Sequence, residues 1–157
     1  NDFLSWQSKD ADGNIWFEAS YTKNFKCLQT TDAVSSSNLL NLLKTARNLN
    51  PAFNPFGYFA TTELDFNAQW GLGSSSTLVA LIAKWAKIDA LELFFKTSTG
   101  SGYDVATAMA QSPILYTLLN GEGKFSPCTF NPPFKNSLYF LYLGKKKRTF
   151  NLSTHYF

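Results

Sequence analysis

Two N-terminal stretches, Phe3-Leu4-Ser5-Trp6-Gln7 and Ile15-Trp16-Phe17-Glu18-Ala19-Ser20-Tyr21, are rich in aromatic and β-favouring residues and flank Asp12-Gly13. That pattern predicts a β-hairpin, in which the Trp6 and Trp16 rings form a cross-strand patch. Phe25-Lys26-Cys27-Leu28 adds another short strand. Tyr58 to Phe66 alternates, with Tyr58, Ala60, Thr62, Leu64 and Phe66 on one side and Glu63 and Asp65 on the other. This predicts a strand with one wetter face.

Between these strands the period changes. Leu39, Leu42, Leu43, Ala46 and Leu49 recur at helical spacing, with N-cap candidates at Ser35-Ser36-Ser37 and stops at Pro51 and Pro55. A second helix follows Ser74-Ser75-Ser76, with an apolar stripe of Leu78, Leu81, Ile82 and Trp85. Asp89 with Glu92 forms a capping box for a third, and a short alanine-rich helix runs from about Asp104 to Ala110. Pro113 to Leu119 and Lys124 to Phe130 read as paired strands about a turn at Asn120-Gly121-Glu122-Gly123, and Leu138 to Leu143 as a last strand. No internal repeat and no long linker interrupts the chain, so a single α+β unit is expected over residues 1–157.

Composition narrows the class. Of 157 residues 45% are hydrophobic and 16% charged, which is a globular balance rather than a disordered one. A net charge of +3 does not by itself imply a nucleic-acid partner. No apolar stretch approaches the ~20 residues that span a bilayer, so no membrane role is expected. Cys27 and Cys128 lie far apart, and His155 is the single histidine. They make neither a zinc pattern nor a disulfide framework, and a reducing cytoplasm is the expected location. The start at Asn1-Asp2-Phe3, without Met, suggests a beginning inside a longer protein. Lys145-Lys146-Lys147-Arg148 is read as a solvated charge run.

The candidate chemistry lies in Gly71-Leu72-Gly73-Ser74-Ser75-Ser76, between a predicted strand and a predicted helix. Glycines permit a tight turn and close approach of a ligand to the backbone. The first N–H groups of the helix lack internal partners and lie at its positive end, which suits phosphate. A capped linker has the same composition, and no Lys stands where a Walker A loop requires one.

Gly71-Leu72-Gly73-Ser74-Ser75-Ser76 resembles the Gly-Leu-Gly-Ser-Ser-Ala core of the GHMP kinases, the family of galactokinase, homoserine kinase, mevalonate kinase and phosphomevalonate kinase. Gly100-Ser101-Gly102-Tyr103-Asp104-Val105-Ala106 is similar to the aspartate segment of the mevalonate-type members, and closest to a bacterial subgroup marked by Gly-Tyr-Asp-Ile-Ala. The resemblance implies an N-terminal domain like the second domain of ribosomal protein S5. It further implies phosphoryl transfer from ATP, with Mg²⁺, to a small-molecule substrate such as mevalonate or phosphomevalonate. On that reading Gly71, Leu72, Gly73, Ser74, Ser75 and Ser76 hold the ATP phosphates and Ser75 binds Mg²⁺. Asp104 is the catalytic aspartate, and Gly100, Ser101 and Gly102 form a substrate loop.

The chain also departs from the family pattern. Asn67 stands where a Pro is usual and Gln69 where a further Gly is usual. By the resemblance, the family's lysine-bearing first strand is expected before Asn1, and its second, ferredoxin-like domain would begin near the end of the last strand. Glu92 is the nearest acidic candidate for a further Mg²⁺ ligand, but its capping role is the expected one. Two rival readings remain: a mevalonate diphosphate decarboxylase-like enzyme, which would need an arginine-lined carboxylate site, and a non-catalytic nucleotide- or RNA-binding fragment.

Overall fold

The computed structural model describes residues 2–141 and Gly144, and has a mixed α+β architecture. The predicted hairpin forms from β1 (Phe3–Lys9) and β2 (Ile15–Thr22), and β3 (Cys27–Thr30) extends it antiparallel. Helix α1 (Ala33–Leu49) then crosses over, and β4 (Phe59–Glu63) returns parallel to β1, so the sheet order is β3-β2-β1-β4. Because side chains alternate across a strand, Leu4, Trp6 and Ser8 of β1 and Phe17, Ala19 and Tyr21 of β2 all face the buried side.

The Trp6–Trp16 patch does not form. Trp6 pairs with Ala19 and is buried, whereas Trp16 lies outward, 52% exposed, with its ring 5.7 Å from Phe17. A register shift between Ser8 and Lys9 locally breaks the pairing near Trp16, and the pleat carries the two rings to opposite faces.

Helix α1 starts one turn before the predicted serines. Asp32 is the N-cap, its carboxylate accepting from Ser35 N at 2.6 Å. Ser36 is buried and accepts a hydrogen bond from the hydroxyl of Tyr21 at 3.1 Å, so the serine closes a polar pair inside the core instead of capping. Burial raises the Tyr21 pKa, keeping the phenol in its donating form.

Three further helices cover the layer beside α1: α2 (Ser74–Ala86), α3 (Ala90–Thr97) and α4 (Tyr103–Met109). The predicted stripe on α2 is rotated. Its buried residues are Ser76, Val79, Ala80, Ile82, Ala83 and Ala86, while Leu81 is 53% exposed and Leu78 and Trp85 are half-buried. Helix α2 packs against α1, α3 and α4 together, and close approach on several sides selects alanines for the inner surface. Half of the expected capping box at α3 forms: Asp89 accepts from Glu92 N at 2.7 Å, while the Glu92 side chain turns to Lys96 instead of back to Asp89 N.

Strands β5 (Ile114–Leu119) and β6 (Glu122–Pro127) make a separate two-stranded sheet. Asn120 and Gly121, at φ 53° and 80°, give the two-residue left-handed turn that such hairpins favour. The predicted last strand is not formed over 138–141: a 3-10 turn at Lys135–Ser137 precedes it, and Tyr139, Phe140 and Leu141 are exposed and pair with no strand among the described residues. Apolar, β-favouring composition alone does not make a strand when no sheet edge receives it. The remainder of that stretch, the basic cluster at 145–148 and His155 lie outside the described residues.

Candidate functional site

Between β4 and α2 the chain makes a 3-10 turn over Ala68–Trp70. Asn67, at the position where the resemblance leads one to expect Pro, caps it: its side chain accepts from Gln69 N at 2.8 Å and its carbonyl from Trp70 N at 2.9 Å. The strand therefore does not run straight into the glycine loop. A capped turn, closed by Gly71 in the left-handed region at φ 75°, sets the direction of approach. Gly73 repeats that conformation at φ 81° and is the N-cap of α2.

Glycine provides no side chain to the helix end, and no side-chain cap is made there. Ser76 N and Thr77 N both bond to the Gly73 carbonyl, at 2.9 and 3.0 Å. The N–H groups of Ser74 and Ser75 remain directed out of the helix end, where the dipole is positive. The three serines play different parts. Ser74 is half-buried and its carbonyl accepts from the Thr77 hydroxyl at 2.7 Å; Ser76 is buried; Ser75 is exposed. Of the three serines, Ser75 is the exposed one.

The second motif arrives from the other side. Gly100, at φ 125°, and Gly102, at φ 75°, bracket Ser101, and Gly102 is the N-cap of α4 without a side-chain bond. Asp104 is therefore not the cap. It sits in the first turn of α4, exposed, where a carboxylate is favoured by the dipole. A methyl group placed on Gly73 would lie 3.9 Å from Asp104 Cβ. The fold thus brings together two motifs that are about thirty residues apart in the chain. The negative charge of Asp104, followed by burial, raises the pKa of the neighbouring Tyr103.

Tyr116 was not among the predicted site residues. Its hydroxyl donates to the Ser101 carbonyl, and its ring crosses Gly123, where any side chain would collide with it. Strand β5 thereby holds the loop before α4. Partial burial raises the Tyr116 pKa. Its place in an alternating strand carries no sign of this contact, which depends on where the second sheet docks.

Glu92 faces Lys96 across one helical turn at 3.9 Å, and Arg47 donates to the Phe53 carbonyl at 2.7 Å. Neither joins the glycine loops by these contacts. A cleft of about 630 Å³ lies elsewhere, lined by residues that include Phe53, Tyr58, Trp85 and Lys87. It adjoins the C-terminal end of α2, about 20 Å from Ser74 by the rise of a 13-residue helix.

Among the described residues no three His, Cys, Asp or Glu side chains gather as a metal cage, so a cation here would rest on few protein oxygens. Magnesium is commonly held through one or two protein oxygens, substrate phosphates and water rather than by a cage of carboxylates. Ser75 and Asp104 supply such oxygens, and the end of α2 supplies N–H donors for an anion. Comparison with protein-family models, with curated proteins and with solved structures gives no match.

Proposed function

We propose that the chain is the ATP-binding portion of a GHMP-type kinase that phosphorylates a small metabolite, mevalonate or phosphomevalonate being the favoured class. The observation that carries this reading is the apposition of Gly73 and Asp104. The closeness of an uncapped helix end and a carboxylate supports the reading, since transfer from a polyphosphate to a hydroxyl needs both beside one ligand.

In this reading the N–H groups around Gly73, Ser74 and Ser75 fix the phosphates, and the α2 dipole favours their charge. Ser75 Oγ would be the protein ligand to Mg²⁺, which when bound would supply neutralisation of the phosphate charge. A carboxylate so near a triphosphate would otherwise repel it. Asp104 orients the acceptor hydroxyl and takes its proton. Ser101, tied by Tyr116, positions the acceptor against Asp104.

The test is direct. The full-length protein is expected to bind MgATP and to phosphorylate mevalonate, phosphomevalonate, homoserine or a sugar. Asp104→Ala is expected to lower turnover by about a hundred- to ten-thousandfold while MgATP binding persists. Failure of the wild type to bind MgATP would remove the kinase reading; unchanged turnover in the variant would remove only the role of Asp104.

A further inference from the structure

Trp70 stands immediately before the glycine loop and is 55% exposed. Leu72, on the other side of Gly71, is 45% exposed. Trp16 is comparably exposed, but it lies in a strand with its ring against Phe17. Among the described residues Trp70 stacks with no other ring, and its indole N–H makes no hydrogen bond. A large aromatic surface is left in water directly beside the glycine loop and the uncapped end of α2.

The turn that carries Trp70 is set in advance. Two bonds to Asn67 close it, and left-handed Gly71 redirects the chain directly afterwards. Trp70 and Gly73 are three Cα steps apart, at most about 11 Å, which is within the span of a nucleoside triphosphate. A phosphate group held at the α2 end leaves the base of the same molecule within reach of the indole. Aromatic faces bind bases by stacking, with little demand for hydrogen bonds.

We infer that Trp70 is the stacking platform for the nucleobase of the bound nucleotide, with Leu72 as a flanking apolar contact. This rests on the phosphate-binding reading of Gly71–Ser76 and adds to it how the base end of the ligand is held. The base is gripped by a face rather than read by a set of polar groups. Pre-ordering of the turn means that little conformational freedom is lost when the base docks.

Full-length wild type, Trp70→Phe and Trp70→Ala are titrated with MgATP and with magnesium tripolyphosphate, which has the phosphates without the base. Stacking predicts that Trp70→Ala weakens MgATP by about tenfold or more, and that Trp70→Phe recovers most of the loss. Tripolyphosphate affinity is expected to stay within roughly twofold in all three proteins, since the N–H donors of α2 are untouched. MgATP should also quench tryptophan emission in the wild type, and the quench should be lost in Trp70→Phe. Equal MgATP affinity in wild type and Trp70→Ala overturns the platform, as does a parallel loss of tripolyphosphate, which marks Trp70 as structural support for the loop. If the wild type binds neither ligand, the phosphate site falls and the platform with it.

Discussion

Gly73 and Gly102 have nearly the same backbone, φ 81° and 75°, and each begins a helix without a side-chain cap. Their surroundings are opposite. A Cβ on Gly102 would meet Leu91 Cδ2 and Phe95 Cζ at 3.2 Å and Phe94 Cδ1 at 3.3 Å; a Cβ on Gly73 would find nothing closer than 3.9 Å. One glycine is required by the packing of α4 on α3. The other keeps a gap open beside Asp104. The same residue in the same conformation thus serves the fold in one motif and, in the proposed function, the ligand in the other.

The comparison sets the order of expected effects. Gly102→Ala combines a left-handed backbone with three tight contacts, and is expected to cost about 2–4 kcal/mol in urea unfolding. Gly73→Ala meets only the backbone penalty, about 1–2 kcal/mol. Its methyl group would occupy the gap facing Asp104, and MgATP affinity is expected to fall by about tenfold or more, beyond what stability explains. Equal unfolding costs for the two variants, or unchanged MgATP binding in Gly73→Ala, would erase the distinction.

A smaller effect is expected at a cap that has a side chain. The hydrogen bonds from Ser35 lower the Asp32 pKa from 3.8. A carboxyl whose pKa is lower folded than unfolded contributes stability above its unfolded value, and that contribution fades as pH falls through the folded one. Asp32→Asn is expected to flatten the loss of α1 stability below about pH 4, followed by circular dichroism. Helices α2 and α4, capped by glycine, have no such carboxylate bond to titrate.

Much of the fold was legible because local chemistry and tertiary structure agree. Gly13, in the left-handed region, sits in the loop joining β1 to β2, and Asp89 caps α3, whereas the turn expected over 120–123 tightens to Asn120-Gly121 because Glu122 and Gly123 pair in β6. In β4, Ala60 and Thr62 turn inward and Glu63 outward, as the alternation predicted. What escaped depends on neighbours that no short window contains. Leu81 is apolar yet exposed because α2 is packed through its alanines. Ser36 is buried because Tyr21, fifteen residues earlier, supplies its partner. The 138–141 stretch has strand composition but pairs with neither sheet among the described residues.

For the candidate site, the two motifs were visible in sequence, whereas their apposition at Gly73 and Asp104 and the tether from Tyr116 were not. Asn67 and Gln69 looked only like departures from a family pattern. In the fold they form the capped turn that aims Trp70.

At the far end of α2, Asn50 donates to the Ala86 carbonyl at 2.7 Å, and the Trp85 ring stands edge-on to Phe53 at 5.0 Å. Helix α2 is held along its length by α1, α3 and α4, and this pair of contacts clamps its C-terminus, with the glycine loop at the opposite tip. Over its length of about 20 Å, a tilt of about 3° at the clamp moves the tip by about 1 Å. A displacement of that size is enough to alter transfer rates by about a hundredfold. On the proposed function, loosening Asn50, remote from the glycine loop, would therefore be felt first as lost aim at Ser75 and only afterwards as lost stability.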